Sequence, residues 1–223
     1  MIVLCLGNSL TAGYPGYSPA IDGVSKGYGD IKSQYEFWLK HYCLEYLEKN
    51  LGSVNDYILE NLIFVNKGVP GELTRNLLNR IAPDLLNYLP KPNYSIIIGG
   101  TNDLGWGISE EKIINNLQAL HMRSRDENIT SIGATIPPIR QEQSSPHYNR
   151  RKVSINRKLI SFFKKYEIPY ADLYHGMANN KGNLRKDCAY SDGLHFSAEG
   201  YRIMGKVLFK DVFKSIVISK WLD

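Results

Sequence analysis

The chain has few cysteines, no long apolar run and no strong excess of either charge, and each scarcity removes a class of protein. Only 3 of its 223 residues are cysteine. Cys5, Cys43 and Cys188 are odd in number, far apart and without CxxC spacing, so neither a disulfide frame nor a zinc site is expected, and all three read as buried or reduced thiols. No apolar stretch approaches the roughly 18–20 residues needed to cross a bilayer. The longest, around Ile96-Ile97-Ile98, is strand-sized. The opening Met1-Ile2-Val3-Leu4-Cys5-Leu6 lacks a basic n-region and a small-residue cleavage site, so no secretory signal is expected and a cytoplasmic address follows by default. The net charge is a modest +5. Basic clusters at Arg150-Arg151-Lys152 and Lys164-Lys165 read as solvated surface, and without a concentrated basic face bearing aromatic platforms no nucleic-acid partner is expected. Disorder is excluded by 43% hydrophobic and 22% charged residues, the proportions of a globular protein.

What is present is an alternation of short apolar runs with longer stretches of helical period. Strands are predicted over 1–6, 62–65, 94–98, 131–136 and 168–173. Helices are predicted over 30–51, over 71–89 with a break at Pro83, over 110–126 with Ser109 as N-cap, over about 150–166, and from the Ser197 cap to about Val217. The segments Thr11–Gly29 and Arg140–Asn149 read as excursions without regular structure. Five apolar strands separated by helices imply an α/β fold with a central five-stranded parallel sheet buried on both faces. With no repeat or linker, residues 1–223 read as one domain.

In open parallel sheets ligands gather at the carboxyl ends of the strands, and there this sequence concentrates its polar residues. The first strand runs into Gly7-Asn8-Ser9, the second into Asn66-Lys67-Gly68-Val69-Pro70-Gly71 and the third into Gly99-Gly100-Thr101-Asn102-Asp103. After the fifth comes Ser191-Asp192-Gly193-Leu194-His195. A serine hydroxyl is a weak nucleophile until a base takes its proton. His195 is the best candidate base, with Asp192 spaced to accept from its Nδ1 and so fix the tautomer. His175 copies that spacing with Asp172 and ranks second, on the expectation that Asp172 lies in the fifth strand and faces the packed side. The Ser9 amide, the Gly71 amide and the Asn102 side chain are candidate donors to a developing oxyanion. A competing reading makes Gly7–Gly13 an anion-cradling loop of a phosphate- or flavin-binding module without hydrolase activity. That reading gives Asp192 and His195 no work and lacks the GxxxxGK[ST] pattern.

The blocks Gly7-Asn8-Ser9-Leu10, Asn66…Gly68…Gly71, Gly100-Thr101-Asn102-Asp103 and Asp192-Gly193-Leu194-His195 resemble, in order and spacing, the signature blocks of the SGNH hydrolases, the GDSL esterase/lipase family. The resemblance implies a flavodoxin-like three-layer α/β/α sandwich. It also implies Ser9 as nucleophile, Asp192 and His195 as its triad partners, and Gly71, Asn102 and the Ser9 amide as the oxyanion hole. The expected reaction is cleavage of a small-molecule carboxylic ester or thioester through an acyl-enzyme, without metal or cofactor. One departure stands out: the family's Gly-Asp-Ser-Leu is here Gly-Asn-Ser-Leu, and Asn8 can donate as well as accept. Among the 15 tyrosines, Tyr14 and Tyr17 follow the proposed nucleophile, and Trp106 follows the third block. All three are expected to line an uncharged acyl or aryl site.

Overall fold

The computed structural model describes residues 1–20, 26–140 and 146–222. Its main sheet is built from β1 (Ile2–Gly7), β4 (Ile63–Gly68), β5 (Tyr94–Ile98), β6 (Thr130–Ala134) and β7 (Tyr170–Ala171), all parallel, in the order β4-β1-β5-β6-β7. Counted along the chain this is the 2-1-3-4-5 order of flavodoxin-like sheets, whose topological switch point lies beside the first strand. A second, two-stranded antiparallel ladder joins β2 (Tyr17–Ser18) to β3 (Tyr28–Gly29).

Both faces of β1 are apolar because both are covered. Val3 and Cys5 point into a core shared with α2 (Tyr35–Leu51), α9 (Ala198–Leu208) and α10 (Lys214–Trp221). Leu4 and Leu6 point into the opposite core, shared with α4 (Thr74–Ile81), α6 (Glu110–Asp126) and α7 (Pro146–Lys165). Three layers result, as a two-sided parallel sheet requires. All three cysteines are free and buried. Among the described residues no helix is long and apolar enough to cross a membrane.

Several boundaries differ from the sequence expectation. The excursion after β1 begins as a helix, α1 (Ser9–Ala12), capped by the Asn8 side chain, which accepts from the Leu10 amide at 3.0 Å. Pro83 does not end its helix: α4 continues into a π turn over Ala82–Leu86, whose wide ring accommodates a residue lacking an N–H. A helix over Asp56–Asn61, α3, was not anticipated. The fifth strand is only two residues long, because Asp172 leaves it to cap α8 (Leu173–Met177). Of the excursion 140–149, residues 141–145 lie outside the described set, and α7 already begins at Pro146. Ser109 and Ser197 cap α6 and α9 as expected.

Candidate functional site

Ser9 sits at the switch point, on the first turn of α1. The helix packs so closely on β1 that a Cβ on Gly7 would lie 2.0 Å from the Thr11 hydroxyl and 2.8 Å from the Ile98 carbonyl. Only glycine lets the chain turn there. Asn8 uses its Oδ1 to cap α1, an acceptor's role that a carboxylate oxygen could equally fill. The departure therefore leaves the presentation of Ser9 intact.

His195 comes from the other end of the chain. Its Nε2 lies 3.0 Å from Ser9 Oγ across 186 residues of sequence, and its Nδ1 lies 2.6 Å from Asp192 Oδ2. A carboxylate only accepts, so the ring proton sits on Nδ1 and Nε2 accepts from the Ser9 hydroxyl. Asp192 Oδ1 accepts from the amides of Leu194 and His195, both at 2.9 Å, closing a local Asx turn. The loop is tied down further by Tyr190 N to His195 O at 2.8 Å and Arg140 N to Gly193 O at 2.7 Å. Partial burial raises the Asp192 carboxyl, but hydrogen bonds from the His195 ring, the His195 amide and the Leu194 amide outweigh it and hold the group below its ordinary range. The His195 side chain is 13% exposed, and the Tyr14 ring meets it edge-on with centroids 4.7 Å apart.

Gly71 and Asn102 arrive from β4 and β5. Gly71 has φ +83° with open space where a Cβ would stand, a conformation natural to glycine that leaves its amide approachable. Asn102 lies on α5 (Thr101–Gly105) and donates one side-chain N–H to the Glu72 carbonyl at 2.9 Å. An amide nitrogen carries two. Among the described residues no acceptor engages the second, nor the Ser9 or Gly71 amide. The buried Asp103 carboxylate accepts from the Thr74 amide at 3.0 and 3.1 Å and from its hydroxyl at 2.6 Å, locking α5 to the start of α4.

The remaining candidates divide. Tyr14 reaches His195. Tyr17 forms the β2–β3 ladder, and Trp106 ends α5 with 78% of its surface exposed. Neither takes part in a ring contact among the described residues. His175 does pair with Asp172, Nδ1 to Oδ2 at 2.7 Å, but it is 75% exposed. Contrary to the sequence expectation, Asp172 lies outside the fifth strand and does not face its packed side. It caps α8 and also accepts from Thr135 Oγ1 at 3.0 Å. Sequence reasoning missed Arg80 and Glu72, which join the strand ends, and Glu36, buried in the first turn of α2, whose carboxyl burial pushes up to about 8. No motif marks these three.

The chain matches the GDSL-like Lipase/Acylhydrolase family over residues 5–203. No curated protein matches it. A lipase/acylhydrolase from Enterococcus faecalis superposes with a TM-score of 0.67 at 21% identity, covering 96% of each chain. A Geobacillus acetyl-xylooligosaccharide esterase gives 0.68 at 18% identity, covering 94% of this chain and 93% of that one. The esterase EstA from a Pseudoalteromonas species, in a form inhibited by monoethylphosphonate, gives 0.63 at 21% identity, with 96% and 98% covered. At these identities the likeness is one of fold. The family match spans most of the chain and decides between the hydrolase and the phosphate- or flavin-binding module: the chain belongs to the GDSL-like lipase/acylhydrolase family and is an ester hydrolase.

Proposed function

We propose that the protein cleaves small carboxylic esters or thioesters through an acyl-enzyme formed on Ser9, within a single domain spanning residues 1–223. The observation that carries this reading is the unbroken chain from Asp192 through His195 to Ser9, with contacts of 2.6 and 3.0 Å. Ser9 Oγ bonds to the acyl carbon while its proton passes to His195 Nε2. The negative oxygen that develops is held by the Ser9 amide, the Gly71 amide and the free N–H of Asn102. Collapse breaks the bond to the leaving alcohol or thiol, which takes the proton from His195. Water then attacks the acyl carbon, gives a proton to His195 and releases the acid, and the proton returns to Ser9. Asp192 orients the imidazole and stabilises its charged form throughout.

Tyr14, Tyr17 and Trp106 form the acyl-side wall in this proposal. Support comes from the Tyr14 ring against His195 and from the exposed indole four residues beyond Asn102. The monoethylphosphonate on EstA suggests a direct probe, since a phosphonate presents a tetrahedral oxyanion to a serine. The experiment is Ser9→Ala on a panel of short p-nitrophenyl esters and thioesters. The variant should fold and lose roughly three or more powers of ten in kcat/KM, and it should not react with an activated phosphonate. Wild-type rates in Ser9→Ala would remove the nucleophile from the proposal.

A further inference from the structure

The three groups proposed to hold the oxyanion come from three separate strand ends, and one side chain outside the signature blocks touches the chain beside two of them and, through Glu72, bears on the third. Arg80, on α4, has a side chain 15% exposed and every branch of its guanidinium engaged. Its Nη2 donates to the carbonyls of Gly7 and Lys67, both at 2.9 Å, bridging the ends of β1 and β4. Its Nε donates to Glu72 Oε2 and its Nη1 to Asp84 Oδ2, both at 2.7 Å. Lys67 Nζ also lies 3.7 Å from Asp84, so two cations face two carboxylates and the half-buried cluster is neutral.

We infer that Arg80 is a positioning residue that sets the spacing of the oxyanion donors. The inference rests on the function proposed above. Gly7 stands two residues before Ser9. Glu72 directly follows Gly71, and its carbonyl is the group that orients Asn102. A single planar fork thus spans the β1 end, the β4 end and the Gly71–Glu72 turn, and through Glu72 it reaches the third donor. Lysine cannot replace it, because an ammonium is a point donor and not a rigid fork able to meet two carbonyls and two carboxylates at fixed angles. Donors to a developing charge must be in place before the charge appears, since misplacement on the scale of an ångström costs on the order of 100-fold in rate. The π turn at Pro83 belongs to the same device: it carries Asp84 beneath Arg80 at the helical i,i+4 position.

The test compares wild type, Arg80→Lys, Asn102→Ala and the double variant on a short p-nitrophenyl ester. Inactivation by an activated ethylphosphonate and thermal unfolding are measured alongside. Arg80→Lys should lower kcat by roughly 10- to 100-fold with KM within about threefold, and phosphonate inactivation should slow by the same factor. In the Asn102→Ala background the same change should cost far less, because part of what Arg80 positions is already gone. A lowered unfolding temperature with unchanged kcat, or losses that simply multiply, would overturn the inference. If Arg80→Lys does not fold, Glu72→Gln keeps the carbonyl and loosens only the turn. It should show a smaller loss of the same kind, and an unchanged kcat there would also overturn the inference. Ser9→Ala, run in parallel, keeps the two questions apart. An active Ser9→Ala removes the site proposal itself, whereas an inactive one beside multiplying losses removes only the role of Arg80.

Discussion

The molecule contains the same Asp-x-x-His device twice, and among the described residues only one copy meets a serine. At 192–195 and at 172–175 the aspartate Oδ2 meets the histidine Nδ1 at 2.6 and 2.7 Å, and Oδ1 meets the histidine amide at 2.9 and 3.3 Å. Each imidazole is also met edge-on by a tyrosine, Tyr14 at 4.7 Å and Tyr174 at 5.2 Å. The local chemistry is nearly identical because a carboxylate three residues before a histidine can cap the turn and catch the ring. The difference is long-range. His195 is 13% exposed and reaches across the sheet to Ser9, while His175 is 75% exposed. Sequence spacing builds the dyad, and the strand order decides which dyad meets a hydroxyl.

The sharpest way to break this comparison is to remove each imidazole. His195→Ala should cost roughly three or more powers of ten in kcat/KM. His175→Ala should stay within about twofold of wild type, since a side chain 75% exposed and outside the proposed triad contributes little. Ester hydrolysis by the two variants, measured at equal folded fraction, checks the pair. A large loss in His175→Ala would mean that the second dyad also acts in the reaction.

The aspartates come next. Asp192→Asn should lower kcat by roughly 10²- to 10⁴-fold, because an amide can no longer select the tautomer that accepts from Ser9. Asp172→Asn should leave kcat alone, and because an asparagine oxygen caps a helix as well as a carboxylate does, unfolding free energy should stay within about 0.5 kcal/mol of wild type. A pH series sharpens the contrast. The Asp192 carboxyl is held below its ordinary value of 3.8 in the fold, so what it adds to stability is present above that value. It is lost as pH falls through the lower folded value. The advantage of wild type over Asp192→Asn in denaturant unfolding should therefore be present at about pH 6 and shrink as pH falls below 3.8.

The fold is legible in the sequence where a residue's partner is either close along the chain or a whole apolar face. The central strands are legible because burial on both sides leaves runs such as Ile96-Ile97-Ile98 with no polar gap. Asp192 and His195 are legible because their contact is local. The shortest elements escaped: α1 has four residues, too few to show a period, and it exists because Asn8 caps it and Gly7 admits it. The fifth strand is shorter than its apolar span 168–173 suggests because Ile168 and Leu173 are apolar for separate reasons. They pack into opposite cores, on either side of a strand only two residues long. Arg80 escaped for a different reason. Two of its four partners are main-chain carbonyls, and every residue type supplies one, so no spacing rule points to them.

The smallest effect is expected at the tyrosines, and it asks whether the two edge-on contacts are equivalent. Tyr14 is anchored from behind, its carbonyl accepting from Tyr201 Oη at 3.0 Å and its amide donating to the Ser9 carbonyl at 3.1 Å. The main chain at Tyr14 should therefore stay in place when the ring is removed. Tyr14→Ala then deletes only the edge contact and part of the proposed acyl wall. At about 1 kcal/mol for such a contact, kcat/KM should fall roughly fivefold. Tyr174 touches His175 in the same way and also bonds Asn149 Oδ1 through its hydroxyl at 3.2 Å. Tyr174→Ala, which deletes the matching contact, should be silent in activity at equal folded fraction. Rate measurements across acyl chain lengths separate the two roles of Tyr14. A loss uniform across substrates marks support of the imidazole, and a loss that grows with acyl size marks the wall. Equal effects at Tyr14 and Tyr174 would remove the distinction between the two dyads that their geometry otherwise supports.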